Sequence, residues 1–293
     1  MDPAPITHAP RDHQEYPGAQ YILPTDGLER KRLAVQHALV KRMFEDRILF
    51  PPIHLAKGDK VLDSGTGSGT WLLDLATSVD ASVEMIGFDI ESRLFPVDPP
   101  RNITFRVNSV VDLPAEWSNT FTLVNQRLVV LGLEIPQWPL ALGEMFRVLR
   151  PGGWVQFLEM VPEHVGETGR PNTDQLIALM QAVGKARNIY LGCAYNLPKM
   201  LADAGFVDIQ QEWRIQKIGK GVEEDSAQKE NMMELFRGMK TPVLKAGGFG
   251  IVSSEADYDA LLEGMGREWE EMPATDHDVA AIWARKPSES GTV

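Results

Sequence analysis

One short stretch of this chain combines the residue types that surround a bound nucleotide-like ligand. An apolar pair at 61–62 leads into Gly65, Gly67 and Gly69, and an apolar segment at 71–76 follows directly. Glycine adopts backbone conformations closed to other residues and lets a ligand approach the main chain closely. A strand, a glycine-rich loop and a helix in this order form the ligand-binding turn at the carboxyl edge of a doubly wound sheet.

An acidic residue stands at the entrance of this loop. Asp63 would face a pyrophosphate with a like charge at short range, which is unfavourable. The third glycine also falls one residue too early for the dinucleotide pattern G-x-G-x-x-G. These two features disfavour a dehydrogenase built on the same type of sheet, and they favour a ligand that carries positive charge.

Two further features follow the loop in a fixed order. Asp89 ends the apolar run 85–90, about twenty residues downstream, where a second parallel strand delivers an acid to ribose hydroxyls. Residues 146–154 are typical of a helix end, a Pro-Gly-Gly turn and a strand. With the glycine loop, these features resemble the class I S-adenosylmethionine-dependent methyltransferases over roughly residues 28–160.

The resemblance implies that S-adenosylmethionine is the cofactor and that it lies against the ends of the first four strands. Many members of the family carry an acid where Ser109 stands, so the adenine contact is expected from the backbone at Val110. Residues 125–127 are expected near the methyl-transfer site. The cofactor-binding residues implied in this way are Asp63, Gly65, Thr66, Gly67, Gly69, Asp89, Ile90, Ser109, Val110, Asn125, Gln126 and Arg127.

The segment ahead of the glycine loop carries a narrower resemblance. Its residues from Tyr21 to His37 resemble the fungal family typified by the LaeA-like regulators and their relatives in secondary metabolism. The resemblance implies that this segment folds over the cofactor pocket and that Tyr21, Gln36 and His37 line it. Asp26 and Glu29 form a capping pair that predicts the start of a helix. The basic residues of this helix, Arg32 among them, are expected on its solvent side.

Strand signals at 60–63, 83–89, 103–107, 121–125 and 153–159 alternate with helix signals at 69–77 and 137–149, which indicates a parallel sheet with helices on both faces. Two more strand signals, at 206–213 and 277–284, flank helical patterns. We therefore expect a Rossmann-like, doubly wound α/β fold with a seven-stranded sheet whose last strand is antiparallel. The expected organisation is a flexible arm (1–20), a methyltransferase domain (21–287) with an N-terminal cap (21–50) and an inserted helical lid (219–270), and a flexible tail (288–293).

Bulk composition excludes several classes of partner. The net charge of −12 and a pI near 5.0, with no long basic run, argue against binding to nucleic acid. Cys193 is the only cysteine, so neither a disulfide within the chain nor a cysteine-rich metal site is expected, and no metal is predicted. No apolar run is long enough to span a membrane, and the N-terminus lacks the pattern of a secretory signal, so a cytoplasmic protein is expected.

The leading hypothesis is a methyltransferase that acts on an oxygen atom of a small secondary metabolite. A hydroxyl acceptor benefits from a general base, for which histidine is the usual choice. His164, just past the fifth strand, is the first candidate and His37 is the second. The lid residues Met232, Met233, Phe236, Met239 and Met265 are expected to form an adaptable acceptor pocket. The alternative is a methyltransferase-like regulator that acts through a protein partner.

Overall fold

The computed structural model describes residues 8–9, 11–19, 21–161, 168–222 and 225–288. Its strands are β1 (Lys60–Ser64), β2 (Glu84–Asp89), β3 (Ile103–Val107), β4 (Phe121–Arg127), β5 (Leu149–Met160), β6 (Val207–Ile218) and β7 (Thr275–Arg285). Its helices are α1 (Gly27–Met43), α2 (Thr70–Leu75), α3 (Gln137–Val148), α4 (Pro171–Ala186), α5 (Cys193–Asp203), α6 (Asp225–Lys245) and α7 (Glu255–Glu271). Short 3₁₀ turns occupy Ala115–Trp117 and Gly247–Gly250.

The strands form one sheet of seven in the order β3-β2-β1-β4-β5-β7-β6. β7 runs antiparallel to both of its neighbours, and the pairs from β3 to β5 are parallel. The predicted fold class is confirmed. The strand order reverses between β1 and β4, which opens a crevice outside their carboxyl ends, where open α/β sheets bind ligands.

Both faces of the sheet are covered, because successive strand residues point to opposite sides. On β1, Val61 packs into one apolar core with Phe44 and Trp71, whereas Leu62 packs into the other with Trp138. Burial on both faces explains why the central strands are nearly continuous apolar runs in the sequence. The predicted placement of helices on both faces is confirmed.

Helix α1 begins where the capping pair predicted it. Asp26 is the N-cap, and its carboxylate accepts hydrogen bonds of 3.0 Å from the N–H groups of Leu28 and Glu29. The expectation that Arg32 faces solvent is wrong. Helix α6 packs along this side of α1, and the Asn231 side chain donates a 2.8 Å hydrogen bond to the Arg32 carbonyl, so the Arg32 side chain is buried.

The chain between β6 and β7 forms the two helices α6 and α7, which pack on α1 and α4. Helix α7 docks through Glu268, whose carboxylate accepts 2.8 Å hydrogen bonds from the backbone N–H groups of Asn172 and Thr173. Those N–H groups belong to the first turn of α4, where a helix offers unpaired donors. A residue of the inserted segment therefore caps a helix of the main domain.

The described part of the N-terminal arm runs over α1 and α6. Arg11 forms an ion pair with Asp26, and the Thr25 N–H donates a 2.7 Å hydrogen bond to the Asp12 carbonyl. His8 lies 2.7 Å from the hydroxyl of Thr241 on α6. Apart from Ser288, the predicted tail lies outside the described residues.

Candidate active site

A cavity of about 500 Å³ opens at the carboxyl ends of β1, β2 and β4. The glycine loop and the strand ends form its inner end, and α4, α6 and α7 enclose its outer end. Arm residues 16–19 and the inner side of α1 close it from above. We call these two ends the cofactor half and the lid half.

Most of the residues predicted to bind the cofactor line this cavity. The ones that do are Tyr21, Asp63, Gly65, Thr66, Gly67, Asp89, Ile90, Ser109, Val110 and Arg127, together with Gln36 and His37. Gly69 does not line it but starts α2, and its N–H donates to the Thr66 carbonyl at 2.8 Å. His164 lies outside the described residues.

Asn125 and Gln126 do not line the cavity either, because they are fully buried between strands. Asn125 donates a 2.6 Å hydrogen bond to Asp63 and accepts one of 2.8 Å from Gln156. Gln126 accepts a 3.0 Å hydrogen bond from the Ser64 hydroxyl. These two amides hold β1, β4 and β5 in register behind the site.

The glycine loop is tight because its neighbours lie close on two sides. Gly65 has a φ of 63°, and a Cβ atom there would lie 2.8 Å from Val129 Cγ2. Gly67 has a φ of 52°, and a Cβ atom there would lie 3.3 Å from Leu33 Cδ1. Any other residue would be strained at these positive φ angles. The loop thus fits between the segment after β4 and helix α1.

Asp89 presents a partly buried carboxylate to the cofactor half. One oxygen accepts a 2.8 Å hydrogen bond from the Gly67 N–H, and the other lies 3.4 Å from the Glu91 N–H. Burial raises the pKa of Asp89 to about 6, although the N–H donors oppose the shift. The carboxylate therefore retains free acceptor capacity.

Asp63 is the second carboxylate, buried at the end of β1. The Thr66 hydroxyl donates to Oδ2 and the Asn125 amide donates to Oδ1, each at 2.6 Å. Burial raises the pKa of Asp63, and these donors and the charge of Arg127 oppose the rise. The carboxylate is thus oriented by two donors and still borders the cavity.

Arg127 and His37 form a polar chain across the cavity wall. Arg127 Nη1 donates to His37 Nδ1 at 3.0 Å, since a guanidinium has no acceptor, and His37 Nε2 then donates to Asp74 at 2.9 Å. Burial and the charge of Arg127 lower the pKa of His37, while Asp74 opposes this. His37 is therefore a neutral imidazole with both nitrogens engaged.

Burial lowers the pKa of Arg127 itself to about 10, while the charges of Asp63 and Asp74 oppose that shift. Among the described residues no carboxylate lies within ion-pair distance of this guanidinium, although it lines the cavity. Its charge is thus available to an anionic group of a ligand.

Comparison with known proteins decides the family. Residues 55–237 match the family model described as a methyltransferase domain. The chain belongs to this family. It is an S-adenosylmethionine-dependent methyltransferase, so the predicted enzyme class and cofactor are confirmed.

Two curated relatives resemble this methyltransferase along almost their whole length, and a third resembles it over about half. N-methyltransferase verN of Clonostachys rogersoniana is 29% identical over 96% of this chain and 98% of its own. N-methyltransferase gliN of Aspergillus fumigatus is 29% identical over 91% and 96%, respectively. N-methyltransferase sirN of Leptosphaeria maculans is 38% identical, but that match spans 50% of this chain and 51% of the relative. The narrower resemblance to the LaeA-like regulators stays a prediction.

Solved structures share the fold at low sequence identity. A phosphoethanolamine N-methyltransferase 2 of Haemonchus contortus, solved with phosphomonomethylethanolamine and S-adenosylhomocysteine, superposes with a TM-score of 0.52 and 16% identity. That match covers 90% of this methyltransferase and 58% of the other chain. The YcgJ protein of Bacillus subtilis superposes with a TM-score of 0.50 and 14% identity, covering 86% and 99% of the two chains.

The cofactor half fits the groups that S-adenosylmethionine carries. The carboxylates of Asp63 and Asp89 and one guanidinium without an ion-pair partner match a ligand that has cationic and anionic groups and a ribose diol. Gly67 leaves an open space beside Leu33 that a Cβ would narrow. Among the described residues, no group of three or more His, Cys, Asp or Glu side chains could hold a metal ion.

Sequence reasoning missed the polar residues of the lid half in this methyltransferase. Arg32 and Trp269 both line the cavity and are almost fully buried. The three-residue spacing of Glu29 and Arg32 was a visible signal of an ion pair, but only tertiary packing shows that it is buried. Of the lid residues predicted to line the pocket, Met232, Phe236 and Met265 do so; the other two, Met233 and Met239, lie in the core.

Within the described ranges, none of the helices is both long and apolar enough to cross a lipid bilayer.

Proposed function

We propose that this methyltransferase transfers a methyl group from S-adenosylmethionine to a nitrogen atom of a small molecule bound in the lid half. The observation that carries the proposal is the shape of the cavity. It extends from the glycine loop to the inner faces of α6 and α7, so it offers cofactor and acceptor one continuous space. The resemblance to the LaeA-like family supports a secondary metabolite as the acceptor.

Each charged residue of the cofactor half would contact a different group of the cofactor. Asp89 has remaining acceptor capacity and would accept from the ribose hydroxyls, and Asp63 would face the ammonium group. Arg127 would take the carboxylate, because it has no direct ion-pair partner among the described residues and lies near the charge of Asp63, which suits a zwitterion. The backbone near Ser109 and Val110 would border the adenine.

When bound, S-adenosylmethionine supplies a methyl group that is already activated by a positively charged sulfur. The protein has to hold the acceptor atom in line with it, and correct orientation alone lowers a barrier by about 7–11 kcal/mol. The wall formed by residues 128–133 borders both halves of the cavity. Glu159 fixes that wall, since its carboxylate accepts 3.0 and 3.2 Å hydrogen bonds from the N–H groups of Val129 and Val130.

Two observations favour nitrogen as the methyl acceptor. The relatives verN and gliN, similar along their whole length, are named as N-methyltransferases. In addition, both ring nitrogens of His37 are engaged, so this residue is poorly placed to deprotonate a hydroxyl. A nitrogen atom with an available lone pair attacks without prior proton removal.

Oxygen remains the second candidate, as the sequence suggested. A hydroxyl acceptor requires a base. His277 of β7 lines the cavity and is the remaining described histidine that could serve, with Nε2 3.2 Å from the Thr275 hydroxyl. His164 stays a prediction from the sequence alone.

The test offers each of several aromatic scaffolds as an amine, a carboxamide and a phenol, together with S-adenosylmethionine labelled with carbon-13 in its methyl group. NMR of the product distinguishes a methyl group on nitrogen from one on oxygen. We expect labelled N-methyl products from the full-length protein. Transfer to the phenols alone, or to no small molecule, would overturn the proposal, and the second outcome would favour a regulator that acts through a protein partner.

A further inference from the structure

Among the described residues, the lid half of the cavity is lined mainly by apolar side chains and by no acidic residue. Leu176 and Met180 of α4, Leu235 and Phe236 of α6, and Met265 of α7 line it. The acidic lining residues of the described chain, Asp63, Asp89, Glu91 and Asp112, all lie in or beside the loops that follow β1, β2 and β3. An acceptor that entered the lid half as an ammonium ion would therefore lose its hydration without gaining a carboxylate.

One charged residue does reach the lid half, and its charge is already compensated. Arg32 Nε and Nη2 donate to the two oxygens of Glu29 at 2.8 and 2.6 Å, and the side chains are 3% and 2% exposed. Burial lowers the pKa of Arg32, but the hydrogen bonds and charge of Glu29 raise it by more, so the guanidinium keeps its charge. Because Glu29 already compensates the charge of Arg32, a carboxylate ligand would gain little from pairing with this guanidinium.

The same guanidinium has an unused donor. Arg32 Nη1 is buried and has no hydrogen-bond partner within the described ranges. Arg32 borders the cavity at the point where α1 meets α6, next to Asn231. A buried donor without a partner carries a desolvation penalty, which a ligand with a matching acceptor atom removes.

A second unused donor lies on α7. The indole Nε1 of Trp269 is buried and has no partner in the part of the chain that the structure describes, and Trp269 lines the cavity. Arg32 and Trp269 thus border the same cavity, each with one unused donor. Both orphan groups of the lid half are donors.

From these contacts we infer that Arg32 and Trp269 form a donor subsite for an uncharged, largely apolar acceptor that presents a carbonyl oxygen. The inference rests on the proposed function, since it names the chemistry of the molecule bound in the lid half. An apolar body fits the wall of Leu, Met and Phe side chains. A carbonyl oxygen accepts from Nη1 without disturbing the Glu29 pair, and it brings no charge into the pocket.

Four probes that share an indole body separate the possible chemistries. Indole-3-carboxamide is neutral with a carbonyl, 3-methylindole lacks it, indole-3-carboxylate is an anion and tryptamine is a cation. Their affinities for the protein are measured by calorimetry in the presence of saturating S-adenosylhomocysteine. A hydrogen bond to a charged donor strengthens binding by roughly tenfold or more. We expect indole-3-carboxamide to bind at least about tenfold more tightly than each of the others.

A double variant and its control test the role of Arg32. Glu29→Met/Arg32→Met removes the donor and its counter-ion together, because Arg32→Met alone would leave a buried charge unpaired. The control is Glu263→Met/Arg267→Met, an exposed ion pair on α7 whose residues do not line the cavity. The first double variant should lose the preference for the carboxamide over 3-methylindole, and the control should keep it. Trp269→Phe removes the second donor with little change of shape and should reduce the same preference, which keeps the test decisive if the first double variant does not fold.

Binding of S-adenosylhomocysteine in the same titrations distinguishes a failure of the proposed function from a failure of the donor subsite. Failure of the wild-type protein to bind S-adenosylhomocysteine would contradict the proposed function itself. Cofactor binding together with a carboxamide that binds no better than 3-methylindole, including no detectable binding, would overturn the donor subsite alone. Tighter binding of tryptamine or of indole-3-carboxylate would overturn it as well.

Discussion

Two carboxylates, the buried Asp63 and the partly buried Asp89, lie at the ends of β1 and β2 in the cofactor half. Their burial costs stability in the free protein, because a carboxylate loses solvation when it is taken out of water. Asp89 shows this cost most clearly, since its pKa is raised to about 6 from a usual value of 3.8. Such a residue is retained for what it binds and not for what it adds to folding.

Replacement of Asp89 by Asn should therefore stabilise the free protein while weakening its binding of the cofactor. A carboxyl whose folded-state pKa is raised contributes stability below its unfolded pKa, and that contribution is lost as the pH rises through about 6. At about pH 8 the variant should gain on the order of 2–3 kcal/mol, and the gain should shrink towards about pH 5.

Thermal melts at both pH values check the stability, and calorimetry with S-adenosylhomocysteine checks the binding. The exposed Asp98→Asn is the matched control and should change neither. A variant that is destabilised at the higher pH, or that binds cofactor like the wild type, would show that Asp89 has another role.

At this scale the sequence predicted the cofactor half better than the lid half. Asp63 and Asp89 were found because a motif places them next to a glycine loop at a recognisable spacing. Asn125 and Gln126 were expected in the cavity but lie within the sheet instead, because β4 continues to Arg127 and both faces of the sheet are covered at these positions. The engaged state of His37 depends on Arg127 and Asp74, which are 90 and 37 residues away, so no local pattern reveals it.

At the scale of elements, the contact between α4 and α7 joins the inserted segment to the main domain. Gly264 of α7 faces Asn172, and a Cβ atom there would lie 2.2 Å from the Asn172 side-chain oxygen. Asn172 in turn donates from its backbone N–H to Glu268 at 2.8 Å. The absence of a side chain at this position allows α7 to approach the first turn of α4.

Gly264→Ala should destabilise the protein and disturb the lid half. Overpacking of this kind typically costs about 1–3 kcal/mol, and the displaced Asn172 would also disturb the Glu268 cap. Gly266→Ala is the matched control two residues away on the same helix, where the nearest atom to an added Cβ is Met233 Cε at 3.6 Å. That change should be neutral or stabilising, because alanine favours a helix over glycine by roughly 0.5–1 kcal/mol.

Denaturant unfolding of both variants gives the measurement, with affinity for indole-3-carboxamide as the functional readout. Equal stability of the two variants would mean that α7 does not depend on this close approach.

The elements themselves were largely predictable. Strand β3 was predicted over residues 103–107, which are the observed bounds, and β1 and α3 end within one residue of their predicted ends. The errors lie at strand ends, where β4 and β5 extend beyond the apolar runs that signalled them. Hydrogen bonds to a neighbouring strand extend a strand past its apolar residues, and these partners come from distant parts of the chain.

At the scale of the whole molecule, one cavity lies between the carboxyl edge of a parallel sheet and a pair of inserted helices. The sheet edge supplies the charges, and the helices supply the apolar wall and two unused donors. The sequence predicted both layers from strand and helix periodicity. It could not predict that α1 would be pressed against α6, because that contact joins residues 199 positions apart and turns an apparent surface arginine into a buried one.

The role of the inserted segment as a substrate-determining lid, and the boundaries assigned to the arm and the tail, stay predictions. The structure shows that α6 and α7 line the cavity and that arm residues 16–19 border it. Sequence changes in these elements would alter the acceptor half while leaving the strand ends of β1 and β2 intact.

The central claim is tested most directly by calorimetry. The full-length protein is titrated with S-adenosylhomocysteine and with NAD, and the Asp89→Ala variant is titrated with S-adenosylhomocysteine. The wild type should bind S-adenosylhomocysteine and not NAD. Asp89→Ala should weaken that binding by roughly tenfold or more, since each charge-assisted hydrogen bond contributes about 1.5–3 kcal/mol. Binding of NAD without S-adenosylhomocysteine, or unchanged affinity in Asp89→Ala, would contradict a methyltransferase site at this edge of the sheet.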